Sequence, residues 1–332
     1  MKNITALTIL VIIINTPIAT KSILGQEKEK NYHFSIGTQF GLVHGQSMEV
    51  VYPTYTKGEL LSELQWDMKP VFYYGAQAEF SRVDPMKGIG FFSMISYKSG
   101  VTGDSGIMED RDWESMENDA LTKYSKHTNK TRELHWLDAA IGVSFPVKSY
   151  FYITPFLSGT WMHFSFTARD IYLKYARVKT SNLLTGAGET FYPIDDDPDE
   201  VSLTGDDIRY SQDWLLIAAG FTIGRKLSAD FNFDLTFQIT PFTVCLATDE
   251  HLATKHTYVD YTHQGLFLEP RGKITYTLRQ LEFSLELAWR YIGLTRGETY
   301  IKVGDGDYFY SENEAGAGLS FMDTCFGVRI RL

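Results

Sequence analysis

Two stretches of the chain alternate strictly between apolar and polar side chains, and this alternation limits what the chain can fold into. From residue 231 to 240, aromatic and aliphatic residues alternate with polar ones. From residue 281 to 291, the polar positions carry ionisable groups, among them Glu282, Glu286 and Arg290. A period of two places successive side chains on opposite faces of a β-strand. Both stretches therefore predict strands with one apolar and one polar face.

Similar segments recur along the chain, separated in turn by long polar connections and by short turns. We expect ten strands, at residues 32–48, 59–80, 89–97, 135–145, 150–168, 208–227, 231–246, 266–278, 281–294 and 317–332. The longest polar connections are residues 99–130, 170–207, 249–261 and 295–316. Alternation of short turns with long loops is typical of outer-membrane barrels. The pattern predicts an all-β fold, namely a ten-stranded antiparallel transmembrane β-barrel with long extracellular loops.

The alternation by itself also fits a soluble β-sandwich. In a sandwich the apolar faces pack into the core, whereas in a membrane barrel they contact lipid and the polar faces line the lumen. Three features favour the barrel: an N-terminal secretory signal, an aromatic content of 14%, and several strands that exceed the about 9–11 residues needed to cross a bilayer. The final dipeptide, Arg331-Leu332, lacks a terminal aromatic residue and weakens this interpretation slightly.

The N-terminus has the pattern of a secretory signal. Lys2 precedes an apolar run over residues 4–14, and small residues follow. An N-terminal membrane anchor is the alternative, but the run is shorter than the roughly 20 residues of a spanning helix. The sequence therefore predicts a signal peptide at residues 1–25 and a single outer-membrane barrel domain at residues 26–332.

The charge and the cysteine content exclude some functions. The net charge is -10 and no basic stripe is visible, so no nucleic-acid partner is expected. Two cysteines, Cys245 and Cys325, are too few for a disulfide framework, and the sequence leaves open whether they pair.

Two short acidic motifs could carry chemistry. Asp110 and Asp112 flank one residue, and Asp249 precedes His251 by two positions. In an extended chain, residues two apart share a face, so Asp249 can orient the imidazole of His251. If the two motifs meet over one opening, they could activate a water molecule. The structural alternatives are a solvated turn or a weak cation site for the first motif and an ordinary polar loop for the second.

Five motifs in order resemble the omptin family of outer-membrane endopeptidases. They are LSELQWDM at 61–68, GIMEDRDWES at 106–115, FSFTAR at 164–169, TDEH at 248–251 and GAGL at 316–319. Each motif alone is short, but together they cover nearly all of the chain after the signal.

The resemblance implies a peptide-hydrolysing site made of Asp110, Asp112, Asp249 and His251. Neutral His251 would take a proton from water as general base, and Asp249 would fix its tautomer and stabilise the imidazolium. Asp110 would hold the water from the opposite wall, beside Asp112. The resemblance implies no covalent intermediate, no cofactor and no metal. We expect the carboxylates to raise the pKa of the imidazole.

The chain departs from the family pattern at two places. Glu49 matches one of two acids that form the primary specificity pocket of omptins that prefer basic residues, but the second position holds Ala247. The preference for basic residues is therefore left open. In the family's lipopolysaccharide-binding cluster, His163 and Asp213 stand where basic residues are expected, so dependence on lipopolysaccharide is not implied.

The resemblance implies polypeptide substrates, with host proteins as candidates, and contact with outer-membrane lipid. It implies an active site on the extracellular side. The alternative is a catalytically weak or inactive omptin-like surface barrel that acts as an adhesin or host-protein binder. A porin-like channel is disfavoured because the charged inner residues of a ten-stranded barrel should fill its lumen.

Overall fold

A computed structural model describes residues 32–52, 60–82, 88–115, 119–148, 150–182 and 187–332. The predicted signal peptide and the predicted connection at 53–58 lie outside the described residues. The described part of the chain contains the following strands: β1 (Tyr32–Val51), β2 (Ser62–Arg82), β3 (Gly90–Gly100), β4 (Gly103–Asp112), β5 (Lys123–Lys148), β6 (Phe151–Tyr175), β7 (Val178–Asn182), β8 (Ala187–Phe191), β9 (Asp199–Lys226), β10 (Phe231–Thr240), β11 (Thr243–His251), β12 (His256–His263), β13 (Phe267–Leu278), β14 (Leu281–Ile292), β15 (Arg296–Val303) and β16 (Tyr308–Arg331).

These strands follow ten antiparallel paths that close into a ring. Six paths are single long strands, and four are broken once, at the junctions β3–β4, β10–β11, β12–β13 and β14–β15. The ring closes where β1 pairs with β16, from Ser35 opposite Arg331 to Val51 opposite Ala315. Closure leaves the barrel without a free edge. The separate hairpin of β7 and β8 lies in the connection between β6 and β9.

The apolar faces of the strands point outward, which distinguishes the membrane barrel from the soluble sandwich. In β14, Leu285 and Leu287 are 56% and 51% exposed, while Glu286 and Arg290 are 9% and 1% exposed. β10 has the same arrangement, with Leu235 outside and Gln238 inside. A soluble protein buries the apolar face instead. The predicted ten-stranded outer-membrane barrel is confirmed.

Charged side chains in the lower lumen pair with one another. Arg290 pairs with Asp138 at 3.2 Å and also with Glu269. Arg271 lies within 3.6 Å of Glu286. Buried charges persist only when they are paired and hydrogen-bonded, so these contacts are a condition of the fold.

An aromatic layer fills the lumen above these ion pairs. The Trp136 ring contacts two cations, with Lys98 at 3.9 Å and Arg290 at 3.8 Å from its centroid. Trp66 stacks on Tyr210 and on Phe166. The lumen is therefore packed at mid-height, as its charged inner residues suggested.

The strands extend further than the sequence predicted. The stretches expected to be polar connections contain β4, the first part of β5, the end of β6, the start of β9, β12, β15 and the start of β16. The prediction was wrong there because these segments lie beyond the apolar outer band, where neither face contacts lipid. Their outward side chains include Glu63, Arg111, Arg209 and Glu250. Without a lipid-facing side, the hydrophobic alternation disappears although the backbone is still a strand.

Two predicted short turns are confirmed, between β9 and β10 and between β13 and β14. The predicted turn at 84–88 falls mostly outside the described residues, and residues 146–148 belong to β5 rather than to a turn. Cys245 and Cys325 are both free and buried. No helix in the described residues is long and apolar enough to cross a membrane.

The lumen charges give a prediction about stability. Arg290→Met would leave Asp138 without its ion-pair partner and Glu269 with Arg271 alone, and we expect a loss of about 3–5 kcal/mol in the free energy of unfolding. Arg177→Ala is the matched control, because the Arg177–Asp197 pair is exposed, and should cost under about 1 kcal/mol. Urea unfolding in detergent micelles, followed by tryptophan fluorescence, measures both values. Equal losses in the two variants would contradict this role for the lumen charges.

Candidate active site

The strand segments beyond the apolar band bring both acidic motifs to one end of the lumen. Asp110 and Asp112 lie in β4, and Asp249 and His251 lie in β11. The sequence placed these motifs in loops, and the structure corrects this: each lies near the end of a strand. Because strands alternate, residues two apart point to the same side, and here that side is the lumen.

The first motif forms an acidic wall next to a lysine. Asp110 and Asp112 are 5% and 8% exposed. Ser62 donates a hydrogen bond to Asp110 at 3.2 Å. The Nζ atom of Lys123 lies 3.0 Å from Oδ2 of Asp112 and 3.9 Å from Oδ2 of Asp110. Lys123 is the direct strand partner of Asp112, and sequence reasoning missed it.

The second motif forms a hydrogen-bonded pair. Oδ2 of Asp249 lies 2.7 Å from Nε2 of His251. Because a carboxylate only accepts hydrogen bonds, Nε2 donates, and Nδ1 is the acceptor nitrogen of the neutral imidazole. The Asp249 side chain is 4% exposed and the His251 side chain 31%, so the ring reaches toward solvent. Tyr258 contacts the ring edge-to-face at 5.5 Å.

The two motifs are close enough to affect each other's charge. Burial raises the pKa of Asp110 to about 7, the Asp112 charge adds to this, and Lys123 and His251 oppose it. Burial alone would lower the pKa of His251, but the hydrogen bond and charge of Asp249, together with Asp110, raise it above its usual value. Residues 110 and 251 therefore lie at the same end of the lumen, and the charge of each acts on the pKa of the other.

A second histidine lies beside this pair and was also missed. His127, in β5, is buried, and its Nε2 atom is 2.8 Å from the Ser125 hydroxyl. Burial lowers the pKa of His127 to about 4, and the charges of Lys123 and His251 act in the same direction. His127 is therefore neutral at pH 7. His127 follows Lys123 and Ser125 at intervals of two residues, so the three share one strand face. This spacing was the signal that could have revealed it.

Glu49 lies near the Asp249 carboxylate, at 3% exposure in β1. Burial raises its pKa well above the usual value, and the carboxylates of Asp249, Asp260 and Asp110 raise it further. Asp260 was not singled out in the sequence. It is 5% exposed in β12 and is the direct strand partner of Ala247.

A network centred on Gln212 closes the space beneath these residues. Its side-chain oxygen accepts hydrogen bonds from Ser47 at 2.7 Å and from Trp214 at 2.9 Å. Its amide nitrogen donates to the main-chain oxygen of Met48 and to the Tyr210 hydroxyl. This network ties β1 to β9 across the lumen, so the candidate site has a rigid, neutral floor.

The described residues give no support for a metal centre or for a basic lipid cluster. No three His, Cys, Asp or Glu side chains in the described part of the chain converge as a metal site requires. His163 lies 3.0 Å from Asp213, stacks on Trp161 and His135, and lies 3.9 Å from Glu133. Two carboxylates therefore surround the position where the family pattern has a basic residue.

Comparisons with known proteins agree with this architecture. Among solved structures, the outer membrane protease OmpT from Escherichia coli is similar, with a TM-score of 0.74 and 19% identity over 90% of this chain and 97% of that chain. The translocator domain of the autotransporter NalP from Neisseria meningitidis has a TM-score of 0.33 and 6% identity, over 92% and 90% of the two chains. A search of curated proteins found no match. The model of the Omptin family matches residues 30–332. The chain therefore belongs to the omptin family.

Proposed function

We propose that this protein is an outer-membrane endopeptidase in which the Asp249–His251 pair and Asp110 hold and activate one water molecule. The observation that carries the proposal is the 2.7 Å hydrogen bond between Asp249 and His251, at the same end of the lumen as Asp110, whose charge also raises the pKa of the imidazole. Membership of a family of outer-membrane proteases supports the reaction class and polypeptide substrates.

The reaction begins with proton transfer. Nδ1 of neutral His251 takes a proton from the water, and the oxygen attacks the carbonyl carbon of the scissile peptide bond. Asp249 stabilises the imidazolium that forms, as the buried carboxylate does in Ser-His-Asp triads. Asp110, when ionised, accepts the second water proton in a hydrogen bond and so orients the attacking lone pair.

Collapse of the tetrahedral intermediate completes the cycle. The imidazolium of His251 returns its proton to the leaving nitrogen, the carbon–nitrogen bond breaks, and a carboxylic acid and an amine are released. No protein atom forms a covalent bond to the substrate in these steps. Lys123 lowers the pKa of Asp110, so it keeps more of that carboxyl group ionised near pH 7.

The position of the site supports an extracellular active site. The short turns at 228–230 and 279–280 lie at one end of the barrel, and the acidic motifs lie at the other. In outer-membrane barrels the short turns are periplasmic. A site at the opposite mouth would be open to polypeptides at the cell surface, host proteins included. We infer that His163, Asp213 and Glu133 face the outer leaflet of the membrane. These residues do not offer the basic contacts that lipopolysaccharide would need.

One observation favours a second candidate, an inactive surface barrel that acts as an adhesin or host-protein binder. Lys123 forms an ion pair with Asp112 and approaches Asp110. If the ammonium group occupied the place of the water, the site would bind polypeptides without cleaving them. Cleavage of any peptide by the wild-type protein would exclude this candidate.

A peptide-library digest with mass-spectrometric detection tests the proposed reaction. We expect His251→Ala and Asp110→Ala each to reduce cleavage by about 10²–10⁴-fold, the usual contribution of a general base and its partners. His256→Ala is the matched control, because His256 is the strand partner of His251 but has no role in the mechanism. Asp206→Ala removes an exposed acid and should also be neutral. Undiminished turnover in both active-site variants would rule the mechanism out.

The pH dependence of kcat/KM gives a second test, because two variants should shift its acid limb in opposite directions. Wild-type kcat/KM should fall on acidification below about pH 7, because His251 and Asp110 both gain protons. Asp249→Asn removes the strongest groups that raise the pKa of His251, so the acid limb should move to lower pH while the maximal rate falls. Lys123→Met removes a cation that lowers both pKa values, so the limb should move to higher pH.

Rate profiles in detergent micelles measure these shifts. Asp206→Asn is the control for a general loss of negative charge and should leave the acid limb unchanged. A shift of both active-site variants in one direction would contradict the assigned charges.

A further inference from the structure

Four aliphatic side chains beyond the membrane line one side of the candidate site. They are Ile171 and Leu173 in β6 and Val201 and Leu203 in β9, and we call this set the apolar flank. Direct strand pairing joins Ile171 to Leu203 and Leu173 to Val201, so the four side chains form one patch on a single face of the sheet. Val201 and Leu203 are 41% and 56% exposed. Contiguous apolar patches that face water commonly mark interaction sites.

The strand register places the apolar flank beside the acidic wall. Leu173 is the direct strand partner of Ser125, and Ser125 is the direct partner of Asp110. Strand partners share a face, and Ser125 and Asp110 are both buried on the lumen side. A row of side chains therefore runs from Asp110 through Ser125 and Leu173 to Val201 across four adjacent strands. Since neighbouring strands are about 4.8 Å apart, Leu173 lies about 10 Å and Val201 about 14 Å from Asp110 along this row.

A bulge in β6 turns the aliphatic side chains toward the site. Before the bulge, the even-numbered residues face the lumen, and Phe166 and Ala168 are fully buried there. The pairing of β6 with β9 shifts register on both sides of Arg169, and Asp170 has a positive φ of 55°. The main-chain N–H of Gly205 donates a hydrogen bond to the Asp170 carboxylate at 3.1 Å. After the bulge, the odd-numbered residues face the lumen, and bulges commonly re-aim side chains next to active sites.

The opposite face of the same two segments is polar. Lys174 lies 3.9 Å from its strand partner Glu200, and Ser202 also points to the outer side. Within the membrane, the same two strands have their apolar side chains outside, where Leu157 and Ile217 are 57% and 65% exposed. The apolar face therefore changes sides where the strands leave the lipid. The membrane cannot cover the apolar flank.

An extended polypeptide with an apolar side chain fits this surface. An extended chain advances about 3.3 Å per residue, so in a polypeptide that runs along the row from Asp110, the third residue from the scissile bond reaches Leu173 and the fourth reaches Val201. The flank itself is uncharged, so a charged side chain would lose hydration there without gaining an ion pair. The flank also faces the barrel mouth rather than the outer surface, which disfavours a second barrel as its partner.

We propose that the apolar flank binds an apolar side chain of the substrate three or four residues from the scissile bond. The proposal rests on the endopeptidase function above and adds a recognition surface that does not touch the reacting atoms. Val201 and Leu203, the more exposed members, are specificity-determining residues. The preferred substrates are then polypeptides with Leu, Ile, Val or Phe at that distance from the cleaved bond.

Fluorescence anisotropy with the full-length protein in phosphatidylcholine nanodiscs tests binding apart from cleavage. Every protein in this assay, the parent included, carries His251→Ala, so that the probe stays intact. The probe is a fluorescein-labelled decapeptide of alternating Leu and Ser, and the same peptide with Asn in place of every Leu is its polar counterpart. We expect the parent to bind the Leu peptide about 10-fold or more tighter than the Asn peptide, because only Leu buries apolar surface on the flank.

Variants on the two faces of β9 provide a matched comparison. Val201→Asp and Leu203→Asp should each weaken binding of the Leu peptide by about 10–100-fold, because each places a charge where an apolar side chain docks. Ser202→Asp adds the same charge on the opposite face and should bind the Leu peptide as the parent does. All three positions are exposed, so the melting temperatures should stay close to that of the parent.

The peptide-library digest tests the same surface in the active protein. We expect wild-type cleavage sites to be enriched in apolar residues at the third and fourth positions on one side of the cleaved bond. Leu203→Asp should remove this enrichment and lower kcat/KM for such peptides by about 10-fold or more, while peptides with polar residues there are cleaved as before. Ser202→Asp should keep the enrichment.

Equal binding of the Leu and Asn peptides by the parent, or of the Leu peptide by the parent and Leu203→Asp, would overturn the proposal. An equal loss in Ser202→Asp would also overturn it, since the added charge alone would then explain the effect. Dimerisation in detergent that Leu203→Asp abolishes, without any peptide binding, would assign the flank to a second copy instead. If peptides are cleaved with no apolar preference, the flank proposal fails and the endopeptidase stands. If the Leu peptide binds through the flank but nothing is cleaved, the endopeptidase proposal fails and the flank stands.

Discussion

Closure of the sheet between β1 and β16 is the constraint on which the rest of this structure depends. A backbone in lipid has no water to satisfy its N–H and C=O groups, so a sheet can cross a bilayer only when it has no edge. The ladder from Ser35–Arg331 to Val51–Ala315 meets this requirement along all of β1 except its first three residues. Once the ring is closed, every second side chain must face the lumen, and the chemistry of the lumen is fixed by those positions.

Buried charged side chains in the lumen are arranged in two different ways. At the height of the membrane, Arg290 pairs with Asp138 and shares Glu269 with Arg271, so these buried ions are compensated, and Arg290 also lies against Trp136. Beyond the membrane, the buried carboxyl groups of Glu49 and Asp260 lie near other carboxylates, Asp249 among them. The first arrangement stabilises the barrel. The second arrangement disfavours the ionised form of each carboxyl group, because burial and like charges both raise its pKa, and such shifts are common at functional sites.

Much of the fold could be predicted because lipid imposes a simple pattern. Stretches such as 231–240 face lipid on one side, so their alternation is plain in the sequence, and the strand turns at 228–230 and 279–280 follow from it. The extended strands above the membrane could not be predicted, since most side chains there are polar on both faces. β4 and β12 have no hydrophobic period although they are regular strands.

The candidate site was only partly predictable for the same reason. Asp110, Asp112, Asp249 and His251 stood out as residues spaced two apart and through the family resemblance. Lys123 did not, because its role depends on the register that places it opposite Asp112 in the β4–β5 ladder. Register across a ladder is set by the whole barrel and cannot be read from either strand alone.

The central claim is that Asp110 and His251 share one water molecule across the lumen. A crystal structure of the full-length protein at a resolution that shows ordered solvent, collected near pH 8, tests it most directly. We expect a single water within about 3.2 Å of both Nδ1 of His251 and a carboxylate oxygen of Asp110. The claim would be contradicted if the two side chains were too far apart to bind one water, or if Nζ of Lys123 occupied the position between them.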